Sequence, residues 1–123
     1  MFAIVVGNKV SSEGILYSLK DSGYEVQFID IDKEKEIEDE VLKLRGINRA
    51  DILVTLTNSD ELNLYLCKLG KKVYGVRKTI AVANLPDNIE FMENQDIDLV
   101  LCPSLFFKSS MDNYLKKGEA LCI

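Results

Sequence analysis

Phe2-Ala3-Ile4-Val5-Val6-Gly7-Asn8-Lys9-Val10-Ser11-Ser12 opens the chain and sets the reading of everything after it. Residues 2–6 form an unbroken apolar run that stops at Gly7, the pattern of a strand buried on both faces, as in a parallel sheet. Ser11 and Ser12 are helix N-cap types. Ile15, Leu16 and Leu19 follow at helical spacing, and Gly23 closes that helix. Residues 25–29 read as a second strand, ending at Asp30-Ile31-Asp32. The unit is strand, short turn, helix, strand.

The same alternation continues to the end. Residues 33–45 are highly charged, but Ile37, Val41 and Leu44 recur at helical spacing, so the segment is expected to be an amphipathic helix with a solvated outer face. Residues 51–56 are a third strand. Asn58 and Ser59 are candidate caps for the next helix, with Glu61 as the capping-box partner of Asn58. That helix carries Leu62, Leu66, Leu69 and Val73 on one face and ends near Gly75. Thr79–Ala83 is a fourth strand, Pro86 opens a helical turn through about Glu93, and Asp98–Cys102 is a fifth strand. A final helix, about 103–117, holds Leu105, Phe106, Met111, Tyr114 and Leu115. Five alternations with short connections imply right-handed crossovers and a Rossmann-like α/β sandwich, with helices on both faces of a parallel sheet. Residues 1–123 read as one domain.

Composition narrows the function. In 123 residues there are 15 Lys plus Arg, 20 Asp plus Glu and no His, for a net charge of −5. That balance argues against binding a nucleic-acid backbone, which needs a basic face. It also removes mechanisms built on a histidine base or a histidine-ligated metal. No apolar run approaches the ~20 residues that span a bilayer. The start lacks the basic region of a signal peptide, so a cytoplasmic protein with no membrane insertion of its own is expected. Cys67, Cys102 and Cys122 form no CxxC pair, and Cys67 and Cys102 read as small buried hydrophobes.

The first turn is a candidate phosphate site. A GxGxxG fingerprint here needs glycines at 7, 9 and 12, yet only Gly7 is present, with Lys9 and Ser12 in the other places. Gly14 can restore part of the close helix–strand approach. Lys9, Ser11 and Ser12 can meet phosphate through side chains instead; the other reading is a loop that has lost its ligand. Asp30 ends the second strand at about the ~20-residue distance where the fingerprint expects an acid on the ribose hydroxyls. Asp32 suits the same part, or caps the following helix. Either acid disfavours a 2′-phosphate, so NAD or an adenine nucleotide is expected rather than NADP.

Several features together resemble the TrkA-N domain, also called KTN, the N-terminal half of the RCK module: the Gly7 turn, Ile29-Asp30-Ile31-Asp32, Ala50-Asp51 before a strand, and Thr57-Asn58-Ser59-Asp60-Glu61-Leu62-Asn63 directly after it. Thr79–Pro86 and Cys102-Pro103-Ser104 also match, so the resemblance runs from residue 1 to about 115. It implies a cytoplasmic sensor of NAD(H), ATP or ADP that is not an enzyme and reports to a potassium channel or transporter. Assembly as a dimer or larger ring through the helix after the last strand is implied as well. Carried over, the ligand meets Gly7, Asn8, Lys9, Ser11 and Ser12, then Asp30 and Asp32, and then Thr55, Thr57 and Asn58.

The chain departs from that pattern in the glycine turn, in Val82 where the family has an Arg, and between Asp32 and Asp51. Relatives fit an extra strand there. This chain has room for a helix and a short connection only, so five strands in the order 2-1-3-4-5 are expected, with strand 2 at an edge and a shallow adenine pocket. Two other readings follow: a ligand-free dimerisation or docking module of the same fold, or the regulatory head of a longer protein such as a phosphoesterase. Hydride transfer is suggested only by the fold and has no oriented acid or base.

Overall fold

The strands fall where the apolar runs end in turn residues. The computed structural model describes residues 1–34 and 36–117; Cys122 lies outside them. β1 (Phe2–Gly7), β2 (Glu25–Asp30), β3 (Ile52–Leu56), β4 (Lys78–Val82) and β5 (Leu99–Leu101) form one parallel sheet in the order β2-β1-β3-β4-β5. The expected topology is the observed one. β1 and β3 are buried along their whole length because each has a strand on either side and helices near both faces.

Handedness then assigns the helices. The chain moves outward from β1 to β2 and then reverses, running through β3, β4 and β5. Right-handed crossovers therefore put α1 (Lys9–Asp21) on one face, and α2 (Asp39–Leu44), α3 (Asp60–Lys72) and α4 (Ile89–Glu93) on the other. Ile15, Leu16 and Leu19 of α1 pack on Ala3, Val5, Val54 and Leu56. Leu42, Ile47 and Leu66 pack on Ile4, Val6, Ile29 and Leu53. A third cluster, Cys67, Ala81, Ala83, Met92 and Ile97, seats α3 and α4 on β4.

Four local expectations are corrected. The N-cap of α1 is Asn8, whose side chain accepts from the Ser11 amide, so Ser11 and Ser12 lie inside the helix. The helix expected over 33–45 begins only at Asp39, after Lys33 and Glu34 turn back onto the Asp30 carbonyl. Glu36, Glu38, Asp39 and Glu40 crowd one sign of charge there, and the first turn forms where Asp39 and Glu40 meet the positive helix end. With that start, Leu42 faces the core while Leu44 is 84% exposed. The cap of α3 is Ser59, accepting from the Leu62 amide, and the Asn58–Glu61 capping box does not form. Finally, Val73 follows the last turn of α3 and is exposed.

The last helix, α5 (Pro103–Lys117), has no buried residue. Leu105 and Phe106 line a groove with Ile89, Val100 and Cys102, but Phe107 and Leu115 are 75% and 67% exposed. This helix does not fold back onto the sheet.

Candidate functional site

At the carboxyl ends of β1 and β3 the chain runs off in opposite senses, to α1 on one face and α3 on the other. Such a switch point leaves a crevice above the sheet. Strand register puts Gly7 in one row with Asp30 on one side and Leu56 on the other. Gly7 is buried, and a Cβ there would meet Ser12 Oγ at 2.6 Å and the Leu56 carbonyl at 3.0 Å. Only a glycine lets the turn close this tightly.

Two hollows flank the start of α1. One, of about 260 Å3, is lined by Asn8 and Ser11 of the first turn, Thr57 and Asn58 after β3, and Asn84 after β4. The other, of about 320 Å3, is lined by Lys9, Phe28, Asp30, Lys33, Glu34 and Arg45. The first volume falls just below, and the second at the lower end of, the ~300–1,000 Å3 typical of small-molecule sites. Of the residues expected to form the site, Asn8, Ser11, Thr57 and Asn58 share the first hollow, and Lys9 and Asp30 share the second.

The others stand apart from both. Gly7 and Ser12 lie beneath the turn, and Ser12 Oγ is a buried polar atom with no hydrogen-bond partner. Asp32 is exposed; its amide donates to Asp30 Oδ1 at 2.9 Å, so Asp30 also closes the turn after β2. Thr55 is fully buried, because alternation along β3 turns it with Leu53 toward α3. Its hydroxyl donates to the Asn63 carbonyl at 3.1 Å and lies 3.2 Å from Cys67 Sγ, so it does not reach the crevice. Thr57 lines the hollow, but its hydroxyl is held at 2.7 Å by Asn63 Oδ1.

Beside β2, the position of a further strand is open. Arg45 reaches it from the end of α2, donating through Nη1 to the Phe28 carbonyl at 3.0 Å and through Nη2 to Glu34 at 2.9 Å. The second hollow therefore has the Arg45 guanidinium, Lys9 and Lys33 in its wall, beside the edge strand β2.

Residues 3–103 match the family model described as TrkA-N domain. The chain belongs to the TrkA-N domain family. The Trk system potassium uptake protein trkA homolog 1 of Methanosarcina mazei is 38% identical over 63 residues, covering 51% of this chain and 15% of that protein. This TrkA-N chain therefore spans a small part of that relative. Among solved structures, GsuK bound to ADP superimposes with a TM-score of 0.83 at 19% identity, over 96% of this chain and 34% of that one. The GsuK channel bound to NAD gives 0.81 at 18% identity, over 94% and 23%. At those identities the likeness establishes the fold.

Within the TrkA-N frame, the stretch from Thr57 to Asn63 is a hydrogen-bonded staple. Asn63, fully buried, accepts from the Thr57 amide at 2.9 Å and donates to the carbonyls of Thr57 and Val82 at 3.0 and 2.9 Å. Asp60 receives the Asn84 amide at 2.6 Å, the Asn84 and Asn88 side chains at 2.8 Å each, and the Leu85 amide at 3.1 Å. Partial burial works against its ionisation, but the donors from Asn84, Asn88 and Leu85 outweigh that and hold the carboxyl below its ordinary value. Asn63, Asp60, Asn84 and Arg45 were not read as site residues from sequence. The spacing of Asp60 and Asn63 after an N-cap serine was the available signal for the first two.

Other chemistry is sparse. Cys67 is buried, and its thiol is pushed up to about 12 by desolvation, which leaves it neutral and unreactive. Among the described residues no group of His, Cys, Asp and Glu is placed to hold a metal ion. No described helix is long and apolar enough to cross a membrane.

Proposed function

We propose that this chain is a regulatory nucleotide-binding domain of a potassium transport system, taking NAD(H), ADP or ATP across the start of α1. The observation that carries this reading is the pair of hollows on either side of that helix end, at the switch point of the sheet. Asn8 and Ser11 meet the phosphates in one, beside a helix N-terminus suited to anions. Asp30 meets a ribose in the other, with Lys9 beside the phosphates. The potassium uptake relative and the ADP- and NAD-bound GsuK structures support the ligand class and the partner, a channel or transporter subunit reached from the cytoplasmic side. The reading assigns no bond-making step, since the chain has no histidine and nothing orients Lys9 as an acid or base. Binding is relayed through a dimer or larger ring built on α5.

Isothermal titration with NADH, NAD, ADP and ATP tests this. Saturable heat with at least one of them at sub-millimolar concentration is expected. No heat with any at millimolar concentration, from a chain that is folded by circular dichroism, overturns it.

One observation favours a second reading, a docking module without ligand: the apolar residues of α5 are uncovered. The titration above separates the two, and light scattering on the wild type and on Phe106→Glu/Phe107→Glu tests the α5 interface that both use. An oligomer that dissociates on substitution, with no nucleotide heat, supports the module; a monomeric wild type defeats the interface.

A further inference from the structure

The solvent side of α3 carries acid at one end, base at the other and apolar surface between. Asp60 and Glu61 stand in the first turn, Lys71 and Lys72 in the last. Asp60 is taken up by the loop after β4, and Lys71 by Asp98 at 2.7 Å. Glu61 and Lys72 are exposed, and among the described residues neither makes an ion pair. Between them Leu64, Tyr65, Lys68 and Leu69 line a hollow of about 450 Å3. Tyr65 is 53% exposed, and Phe91 of α4, which shares a neighbouring hollow with Leu64, is 60% exposed. The Lys68 ammonium donates to Gln95 at 3.2 Å, so it is drawn toward the end of α4 and leaves its stem on the face. At about 3.6 residues per turn, Glu61, Tyr65, Lys68 and Lys72 form one stripe opposite the buried Asn63, Leu66, Cys67 and Gly70.

We infer that this stripe seats a second copy of the chain, α3 against α3 and antiparallel, about a two-fold axis level with Leu66 and Cys67. The argument is charge complementarity with itself. Turned end for end about that point, Glu61 lies opposite the partner's Lys72 at one end, and the same pair repeats at the other. The two Tyr65 rings meet beside the axis, where an aromatic pair adds to the area it buries. The Leu64 side chains gather on one flank and the Leu69 side chains on the other. Each Lys68 ammonium points away toward its own Gln95, so these two charges diverge. Parallel packing sets Glu61 on Glu61 and Lys72 on Lys72 and aligns the two helix dipoles, so it is disfavoured. The footprint is one helix ~20 Å long and the turn of α4 beside it, small for a stable interface, so association is expected at micromolar concentration. This contact needs neither a nucleotide nor α5, and it stands or falls apart from both.

The test uses the full chain carrying Phe106→Glu/Phe107→Glu, so that association through α5 is absent. Sedimentation velocity from about 5 to about 500 µM should show a monomer–dimer equilibrium. Adding Glu61→Lys, or adding Lys72→Glu, should weaken it about tenfold, because each places like charges at both ends of the contact. Mixed in equal amounts, those two variants carry opposite charges at each end of the mixed dimer. Association in the mixture should return to within about threefold of the parent. Tyr65→Ala should weaken the dimer by about tenfold or more. All three positions are exposed, so circular dichroism spectra should be unchanged. A parent that is monomeric throughout overturns the proposal. So do charge variants that associate as the parent does, a Tyr65→Ala chain that does the same, and a mixture that associates no better than its components.

Discussion

The β1–α1 and β3–α3 turns sit side by side at one end of the sheet and are built in opposite ways. In the first, one side chain, Asn8, caps one amide, and a buried serine hydroxyl is left unmet. In the second, Thr57, Ser59 and Asn63 bond one another and the neighbouring strand, and Asp60 gathers the loop that follows β4. Rigidity is concentrated on the β3 side, where the loop after β4 is stapled to the head of α3. The β1 side has fewer such bonds, a single carboxamide closing the turn above the unmet hydroxyl.

The contrast predicts a ranking. Asn63→Leu should be the most damaging change, because it strands the Thr57 amide and the Val82 carbonyl in a buried site. A loss of about 3 kcal/mol or more in urea denaturation is expected. Gly7→Ala comes next, at about 1–3 kcal/mol, since its methyl meets Leu56 backbone that cannot retreat. Adding Ser12→Gly should recover only the part due to the 2.6 Å contact with Ser12 Oγ. Asp60→Asn should cost about 1 kcal/mol at pH 7. Its carboxyl is held below the ordinary 3.8 in the folded chain, so the contribution is present above that pH and lost as pH falls through the lower folded value. Wild type and variant should therefore converge in acid, followed by circular dichroism. Ser12→Ala should change stability least, within about 0.5 kcal/mol and toward stabilisation, since the hydroxyl it removes has no partner. A large loss there would mean that the β1 turn is as tightly bonded as the β3 turn.

The sheet was legible because β1 and β3 are buried on both faces, and burial of that kind leaves an unbroken apolar run such as residues 2–6. Strand order followed from the short span between Asp32 and Asp51. The helix boundary near Asp39 was hidden, because periodicity over 33–45 is blind to a crowd of like charges. Choosing Leu44 over Leu42 was the consequence. Asn8, Lys9, Ser11, Asp30, Thr57 and Asn58 came to the crevice or its flank because strand ends fix where turns must lie. Thr55 did not, since a period of two turns it away from the face that Leu56 occupies. The spacing of Asp60 and Asn63 after Ser59 marks the residues but not their distant partners, Val82 at 19 residues from Asn63 and Asn84 to Asn88 at 24 to 28 from Asp60.

Arg45 has a wider meaning. A parallel sheet that sheds its outermost strand acquires a raw margin, a row of amides and carbonyls on which a stray peptide from any neighbour can template. Here a planar cation from the end of a short helix is bonded to the Phe28 carbonyl and anchored by Glu34. It interrupts that row where an invading backbone would have to register. One well-placed side chain thus guards a sheet margin that no strand covers.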